Sequence, residues 1–250
     1  MMRTYLTFQL YGQLSSWGDI AVGEVRPIDQ LPTKSAVLGL VAAALGIKRT
    51  QSLDLLNLNE SFGFAVKCFP ACESLKDYHS VQMPTSKKHS RFYTRKDELA
   101  AGEIETLITS RYYYPEMYSV IALWLQEDKA RVSSSISLPE IEKALKTPQY
   151  ALYLGRKACP VALPLAPCVK VYPSLKHALD HALDDFTKDD PWVNLFQQNK
   201  QPIYSWECLE QADAGMSPEM FVEKRDKLRD RARWEFDRRD RFICFGGENA

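Results

Sequence analysis

The segment Pro32-Thr-Lys-Ser-Ala-Val-Leu-Gly-Leu-Val-Ala-Ala-Ala-Leu-Gly46 carries the clearest periodic signal in the chain. Val37, Leu40, Val41, Ala44 and Leu45 fall at i, i+3, i+4, i+7 and i+8, which is one apolar face of a helix. Pro32-Thr33 opens the helix, and Gly46 stops it where a left-handed backbone commonly ends helices. Upstream, Thr4 to Leu10 alternates β-branched and aromatic residues and reads as a strand, followed by a turn-rich loop from Gly12 to Gly18. Downstream, Phe62 to Cys68 reads as a second strand. Tyr118 to Leu125 reads as a third, apolar on both faces and therefore central. Ser137-Leu-Pro-Glu140 has the spacing of a capping box for a second helix. Pro148 ends that helix, because the residue before proline avoids the helical region. Tyr150 to Leu154 reads as a fourth strand. The order strand, helix, strand, strand, helix, strand is the ferredoxin-like pattern of RNA-recognition folds, so the expected class is α+β.

A polar, basic stretch from about Lys76 to Arg111 separates the second and third strands. Such a stretch cannot be core, so a protruding hairpin or loop is expected there. After Gly155 the texture changes, with prolines at 160, 164, 167 and 173. Ser174 is placed to cap a short helix through Phe186, a strand is expected near Ile203 to Trp206, and Glu223 to Arg241 is dense in charge of both signs. The expected division is a ferredoxin-like domain over residues 1–157 and a smaller, β-rich C-terminal subdomain over 158–250.

Thirty-two basic residues balance thirty-two acidic ones in 250 residues, so no net field attracts a polyanion. Any nucleic-acid site must be a local concentration of cations. The hydrophobic share of 45% excludes disorder as the main state. The longest apolar run, about ten residues around Val37 to Leu45, is too short for a bilayer. The N-terminus lacks the basic and apolar regions of a signal peptide. With no C-x-x-C pair among the six cysteines, the expectation is a cytoplasmic protein with reduced thiols and no membrane contact.

Four local patterns carry binding chemistry. Lys34-Ser35 sits in the first helical turn, where a lysine opposes the dipole unless an anion is present; free N–H groups and Lys34 would then both favour a phosphate. A P-loop is excluded, because Ile28 and Thr33 stand where its glycines belong. Lys87, Lys88, His89, Arg91, Arg95 and Lys96 are interleaved with Phe92 and Tyr93, which suits phosphate neutralisation and base stacking. Arg111-Tyr112-Tyr113-Tyr114 combines a phosphate fork with stacking faces. Gly155-Arg156-Lys157 places two cations after a residue that permits close backbone approach. Trp17 is a further stacking candidate. His177 and His181 have metal-ligand spacing but no third ligand at motif spacing, so a surface helix is the reading and no metal or other cofactor is expected. Ser15 and Ser16 lack the setting of an esterase nucleophile. Tyr78, His79, Lys88 and His89 supply the residue types of a metal-independent ribonuclease.

Several segments together resemble the CasD family, type I-E CRISPR Cascade subunits within the wider group of repeat-associated RNA-binding proteins. They are Tyr11-Gly-Gln-Leu-Ser-Ser-Trp-Gly18, Leu31-Pro-Thr-Lys-Ser-Ala-Val-Leu-Gly39 continuing to Ile47, Asp77-Tyr-His-Ser-Val-Gln82, Ser110-Arg-Tyr-Tyr-Tyr114 and Tyr153-Leu-Gly-Arg-Lys-Ala-Cys-Pro160. Arg231-Ala-Arg-Trp-Glu-Phe236 is similar to the family's arginine-rich end. Pro115-Glu116 departs from the pattern, in which an aspartate commonly follows the aromatic run. The resemblance implies a thumb hairpin over about 76–111 that packs against the guide RNA and the adjoining backbone subunit. It implies a non-catalytic role in antiviral defence, with the subunit holding the 5′ handle of the guide RNA and capping the backbone filament. The implied partners are that RNA, the Cascade backbone and large subunits, and target DNA through the complex. Type I-C relatives cleave repeat RNA, so an endoribonuclease is the alternative. A scaffold whose basic thumb docks an acidic protein surface is a further one. On this reading Lys34 and Ser35, Arg111, Arg156 and Lys157 hold handle phosphates. Trp17 or Tyr112 stacks on a base, and Lys87, Lys88 and Arg91 guide the strand along the thumb.

Overall fold

The computed structural model describes residues 2–70, 73–85, 91–100, 102, 104–126, 136–184, 201–207, 209, 211–233 and 235–246. The strands among them are β1 (Arg3–Ser15), β2 (Val25–Arg26), β3 (Phe62–Phe69), β4 (Leu75–Pro84), β5 (Ile104–Leu125), β6 (Cys168–Tyr172), β7 (Ile203–Trp206), β8 (Met220–Asp230) and β9 (Glu235–Phe245). The helices are α1 (Lys34–Leu45), α2 (Ser52–Ser61), α3 (Arg95–Ala100), α4 (Leu138–Lys146), α5 (Leu175–Asp180) and α6 (Gln211–Ala214).

One sheet runs in the order β6-β1-β5-β3-β7-β9-β8, every neighbour antiparallel. The period-2 alternation of its strands sends side chains to two faces. Leu6, Phe8 and Leu10 pack with Val37 and Val41 of α1, Leu58 of α2, and Ile141 and Leu145 of α4. Tyr5, Tyr118, Val120 and Trp124 pack on the opposite face with Leu175 and Leu179 of α5 and with Trp206. The C-terminal strands β7, β9 and β8 extend this same sheet through the β3–β7 pair.

Both principal helices start as their sequences dictate. The Thr33 hydroxyl caps α1 by accepting from the Ala36 N–H, and Gly46 ends the helix at φ 78°. Ser137 and Glu140 form the reciprocal capping box of α4. Ser174 caps α5, which spans only Leu175–Asp180; the expected end at Phe186 lies outside the described residues.

Three elements differ from expectation. Tyr150 to Leu154 is not a strand; it makes only an isolated bridge, Tyr153 to Pro160. Its backbone is spent elsewhere: the Tyr150 N–H donates to the Ala43 carbonyl at the end of α1, the Leu154 N–H donates to the Cys159 carbonyl, and the Leu154 carbonyl accepts from the Ser16 N–H. The strand pairing with β1 on that side is β6, beyond residue 157. The third strand begins not at Tyr118 but at Ile104. At about 3.4 Å per residue β5 is roughly 70 Å long, and its first half leaves the main sheet to form a hairpin with β4. Near the start of the half paired with β1, Glu116 adopts φ 48°, a left-handed conformation that a short aspartate side chain tolerates better. Finally, the charged tail is the β8–β9 hairpin, whose alternate residues face inward.

Gly63 lies opposite Trp124, and a Cβ there would sit 2.1 Å from the indole. The ring is buried and cannot retreat. Gly63→Ala is therefore expected to lower stability by about 1–3 kcal/mol through overpacking; an unchanged urea midpoint would contradict this packing.

Candidate nucleic-acid interface

The N-terminus of α1 holds an anion, but the anion belongs to the chain. Asp226 of β8 accepts the Lys34 N–H at 3.0 Å, and the Lys34 ammonium lies 2.5 Å from Glu207. Arg239 of β9 forks onto Asp226 at 2.6 and 3.0 Å and lies 3.4 Å from Glu207. Nearby, Asp29 is held by Lys224 and Arg241 at 2.7 and 3.0 Å, and Lys224 also reaches Asp19. Burial by itself pushes the Asp29 carboxyl up. The Arg241 charge, the Lys224 hydrogen bond and the Leu31 N–H outweigh it and hold the group below its ordinary value.

Two expected contacts are thereby corrected. Lys34 is only 3% exposed and is neutralised by Glu207, so it is an internal cation and not a phosphate hook. Trp17 is 1% exposed within the core under α1, so its ring presents no stacking face. Local pattern marks both residues; the partner that claims Lys34 is far away in the chain. Ser35 is half-buried and lines a groove beside α1.

Arg111, Tyr112 and Arg156 gather at the base of the β4–β5 hairpin. Directly opposed residues share a face. Arg111 is opposed by Asp77 on β4 and by Arg26 on β2, which runs parallel to β5. Two positions along the same face, the Arg156 guanidinium lies 4.9 Å over the Tyr113 ring. That face thus collects Arg26, Arg111 and Arg156, with Asp77 as a local counter-charge. On the other face Lys76 opposes Tyr112, and its ammonium lies 5.0 Å over the ring of Tyr78. The hydrogen bond with Tyr78, then the proximity of Tyr112, push the Lys76 pKa up and keep the cation charged.

The loop carrying Arg156 is locked to this base. Gly155 has φ 85°, and a Cβ there would lie 1.9 Å from the Ser16 carbonyl oxygen, so only glycine fits. The Tyr112 carbonyl accepts from the Ser16 hydroxyl at 3.1 Å and from Arg156 at 3.4 Å. Lys157 follows, exposed on the surface. Burial pushes the Cys159 thiol up, against the opposing pull of Arg156, which leaves it a poor nucleophile.

Lys87, Lys88 and His89 lie outside the described residues; Arg91 is exposed near the hairpin tip. Tyr78 and His79 are consecutive on β4 and so point to opposite faces. His79 is paired with Asp77 at 2.6 Å. The two therefore do not converge as an acid and base would. His177 and His181 stack at 4.2 Å between centroids, and His181 pairs with Asp184. No cluster of three metal-ligating side chains occurs among the described residues, nor does any helix there have the length and apolarity to cross a membrane. Sequence reasoning missed Lys76 and Arg26 as interface residues. The alternation through Leu75 to Gln82 marks Lys76, but Arg26 acquires its place only through a parallel pairing with no local signal.

The buried ion pairs predict two outcomes. Lys34→Met, which leaves Glu207 and Asp226 beside a single arginine, is expected to lose about 3–5 kcal/mol in denaturant unfolding. Because Asp29 is depressed in the folded state, its contribution is complete above the unfolded value of 3.8 and disappears as pH falls through the folded value. Acid unfolding of Asp29→Asn should accordingly be shallower than wild type below about pH 4.

A family model described as CRISPR-associated protein (Cas_Cas5) matches residues 5–240. The CRISPR system Cascade subunit CasD of Escherichia coli (strain K12) is 36% identical over 172 residues, covering 66% of this chain and 70% of that protein. Among solved structures, a chain of a CRISPR RNA-guided surveillance complex superposes with a TM-score of 0.56 at 19% identity, over 97% of this chain and 90% of that one. A second, described as a crystal structure of a Cas protein, gives 0.53 at 19% identity over 96% and 93%. A family match over residues 5–240 and 36% identity to a curated relative lead to one conclusion: the chain belongs to the Cas5 family of CRISPR-associated proteins.

Proposed function

We propose that this chain is a non-catalytic, CasD-like subunit of a Cascade assembly that grips the 5′ handle of the guide RNA and caps the backbone filament. The observation that carries the reading is the collection of Arg26, Arg111 and Arg156 on one face of the hairpin base, with Lys76, Tyr78 and Tyr112 on the other. In a chain with no net charge, this local density is what a phosphate backbone requires. The tyrosines add faces for unstacked bases. Lys157 and Arg91 extend the cationic surface, and Lys87 and Lys88 remain proposed thumb contacts. Lys34 and Trp17 drop out of the proposed set because they are internal.

The sheet order β6-β1-β5-β3 supports reading these four strands as a ferredoxin-like unit, with the β4–β5 hairpin as its thumb. The thumb also exposes Val81, Met83 and Leu107. Register puts these three on one face, which suits an adjoining backbone subunit. A scaffold role is favoured over repeat-RNA cleavage because Tyr78 and His79 diverge.

The test is salt-induced release of RNA from the purified assembly carrying Arg111→Ala and Arg156→Ala. Each phosphate no longer neutralised should flatten the log–log salt slope by roughly 0.7. The thermal midpoint should stay near wild type, since neither side chain is buried. Unaltered RNA release in the folded double variant would remove the basis for this reading.

A further inference from the structure

The main sheet ends in two strands, and only one of them is guarded. β8 carries a charge at every position from Glu223 to Lys227, and its register with β9 shifts between Lys224 and Lys227 and again between Leu228 and Asp230. Charges and bulges are the devices that keep a sheet edge from pairing with another chain. β6 has no bulge. It pairs with β1 in unbroken register from Arg3↔Tyr172 to Thr7↔Cys168, and Lys170 is its one charge. No strand pairs with its outer side among the described residues.

A hollow of about 660 Å³ opens along that edge. Its lining comes from both sides of the sheet: Leu145 and Leu165 belong to the core shared with α1 and α4, whereas Ala182 belongs to the core under α5. Cys168 and Lys170, alternate residues of β6, line it as well. The hollow therefore straddles the sheet edge, where the next strand would lie. It is also preformed. Gln9 of β1 donates its N–H to the Leu165 carbonyl at 2.8 Å and its side-chain amide to the Pro164 carbonyl at 2.7 Å, and its Oε1 accepts from the Tyr118 hydroxyl at 2.8 Å. Between these anchors and β6, Ala166 is held at φ 47°, a strained conformation that persists only where the surroundings impose it. A wall already ordered loses little freedom on binding.

The chemistry of the edge selects its occupant. Backbone groups along a sheet edge accept an extended chain, and the apolar lining, Leu163 included, accepts an apolar side chain. Lys146, which also bonds Glu142 at 2.6 Å, and Lys170 are the charged residues of the described lining, which holds no carboxylate. That asymmetry favours an acidic residue beside the apolar one.

We propose that β6 is a docking strand for a partner protein of the assembly. An extended segment of that partner pairs along Cys168–Tyr172, sets an apolar side chain into the hollow between Leu145 and Ala182, and places a carboxylate beside Lys146. The proposal rests on the reading of this chain as an assembly subunit and adds to it a protein contact that uses no thumb residue.

The experiment is residue-resolved hydrogen–deuterium exchange on the purified assembly. In an edge strand alternate amides exchange fast, whereas in a strand paired on both sides consecutive amides are slow. The expected result is slow exchange at every amide from Cys168 to Tyr172. Leu163→Glu, which puts a carboxylate into the apolar hollow, should speed alternate amides about tenfold, the scale of one net hydrogen bond. If Leu163→Glu lowers the thermal midpoint, Lys146→Glu takes its place with the same expectation, at a side chain that is 56% exposed. A benzophenone amino acid in place of Val171, which is 58% exposed, identifies the occupant. On irradiation it should crosslink to a peptide of another protein in the assembly, and the adduct should vanish in the substituted background. Fast alternate amides in the wild-type assembly would overturn the docking strand while leaving the assembly reading intact. So would crosslinks to this chain's own peptides or to RNA, the absence of any crosslink, or slow exchange that survives both substitutions. A chain that purifies with no partner protein would overturn the assembly reading and the docking strand together.

Discussion

β5 is the constraint on which the architecture depends. Its second half sits between β1 and β3 in the middle of the sheet, and its first half pairs with β4 and β2 outside it. Because one continuous strand serves both, Arg111 and Tyr112 are fixed relative to the core by backbone hydrogen bonds and not by a loop. A site built on a strand holds its side chains with less conformational loss on binding than one built on a mobile connection. The strand changes company between Tyr113, paired with β4, and Tyr114, paired with β1; the left-handed residue Glu116 lies just beyond that point.

The balanced composition acquires a structural meaning from the ion pairs beneath α1. Lys34, Arg239, Arg241 and Lys224 are consumed by Glu207, Asp226, Asp29 and Asp19. These groups tie the C-terminal strands to the first helix. All but Asp19 and Lys224 are buried, and because the two signs are withdrawn in equal number the surface stays balanced overall and is cationic only locally. A count of charges over the chain therefore says little about the surface, which is why zero net charge and a basic hairpin base coexist.

The parts visible from sequence were those set by neighbours in the chain. The α1 periodicity, its Gly46 stop and the Ser137 capping box depend on interactions within a few residues, and β1, β3 and the short strand at Ile203 show in local alternation and composition although their partners are distant. The misplaced parts depend on distant partners. Tyr150 to Leu154 has a strand's composition, but its backbone is engaged by the end of α1 at Tyr150 and by Ser16 and Cys159 at Leu154. Glu223 to Arg241 has a solvated tail's composition, but its alternation conceals Asp226, Arg239 and Arg241 as inward residues. Within the site, Arg111, Tyr112 and Arg156 were named from local pattern and do come together at the hairpin base. Lys34 and Trp17 were named on equal grounds and are internal, because a lysine beside an N–H-rich helix end attracts whichever carboxylate the fold delivers.

The two carboxylates that compensate Lys34 stand at positions 207 and 226, so they leave the ribosome long after α1 does. Until then the nascent helix carries a cation it cannot bury, and its apolar underside cannot close against the sheet at that end. Completion of this end of the first helix consequently waits on strands that come last in the chain, so its contacts cannot be finished in order of synthesis.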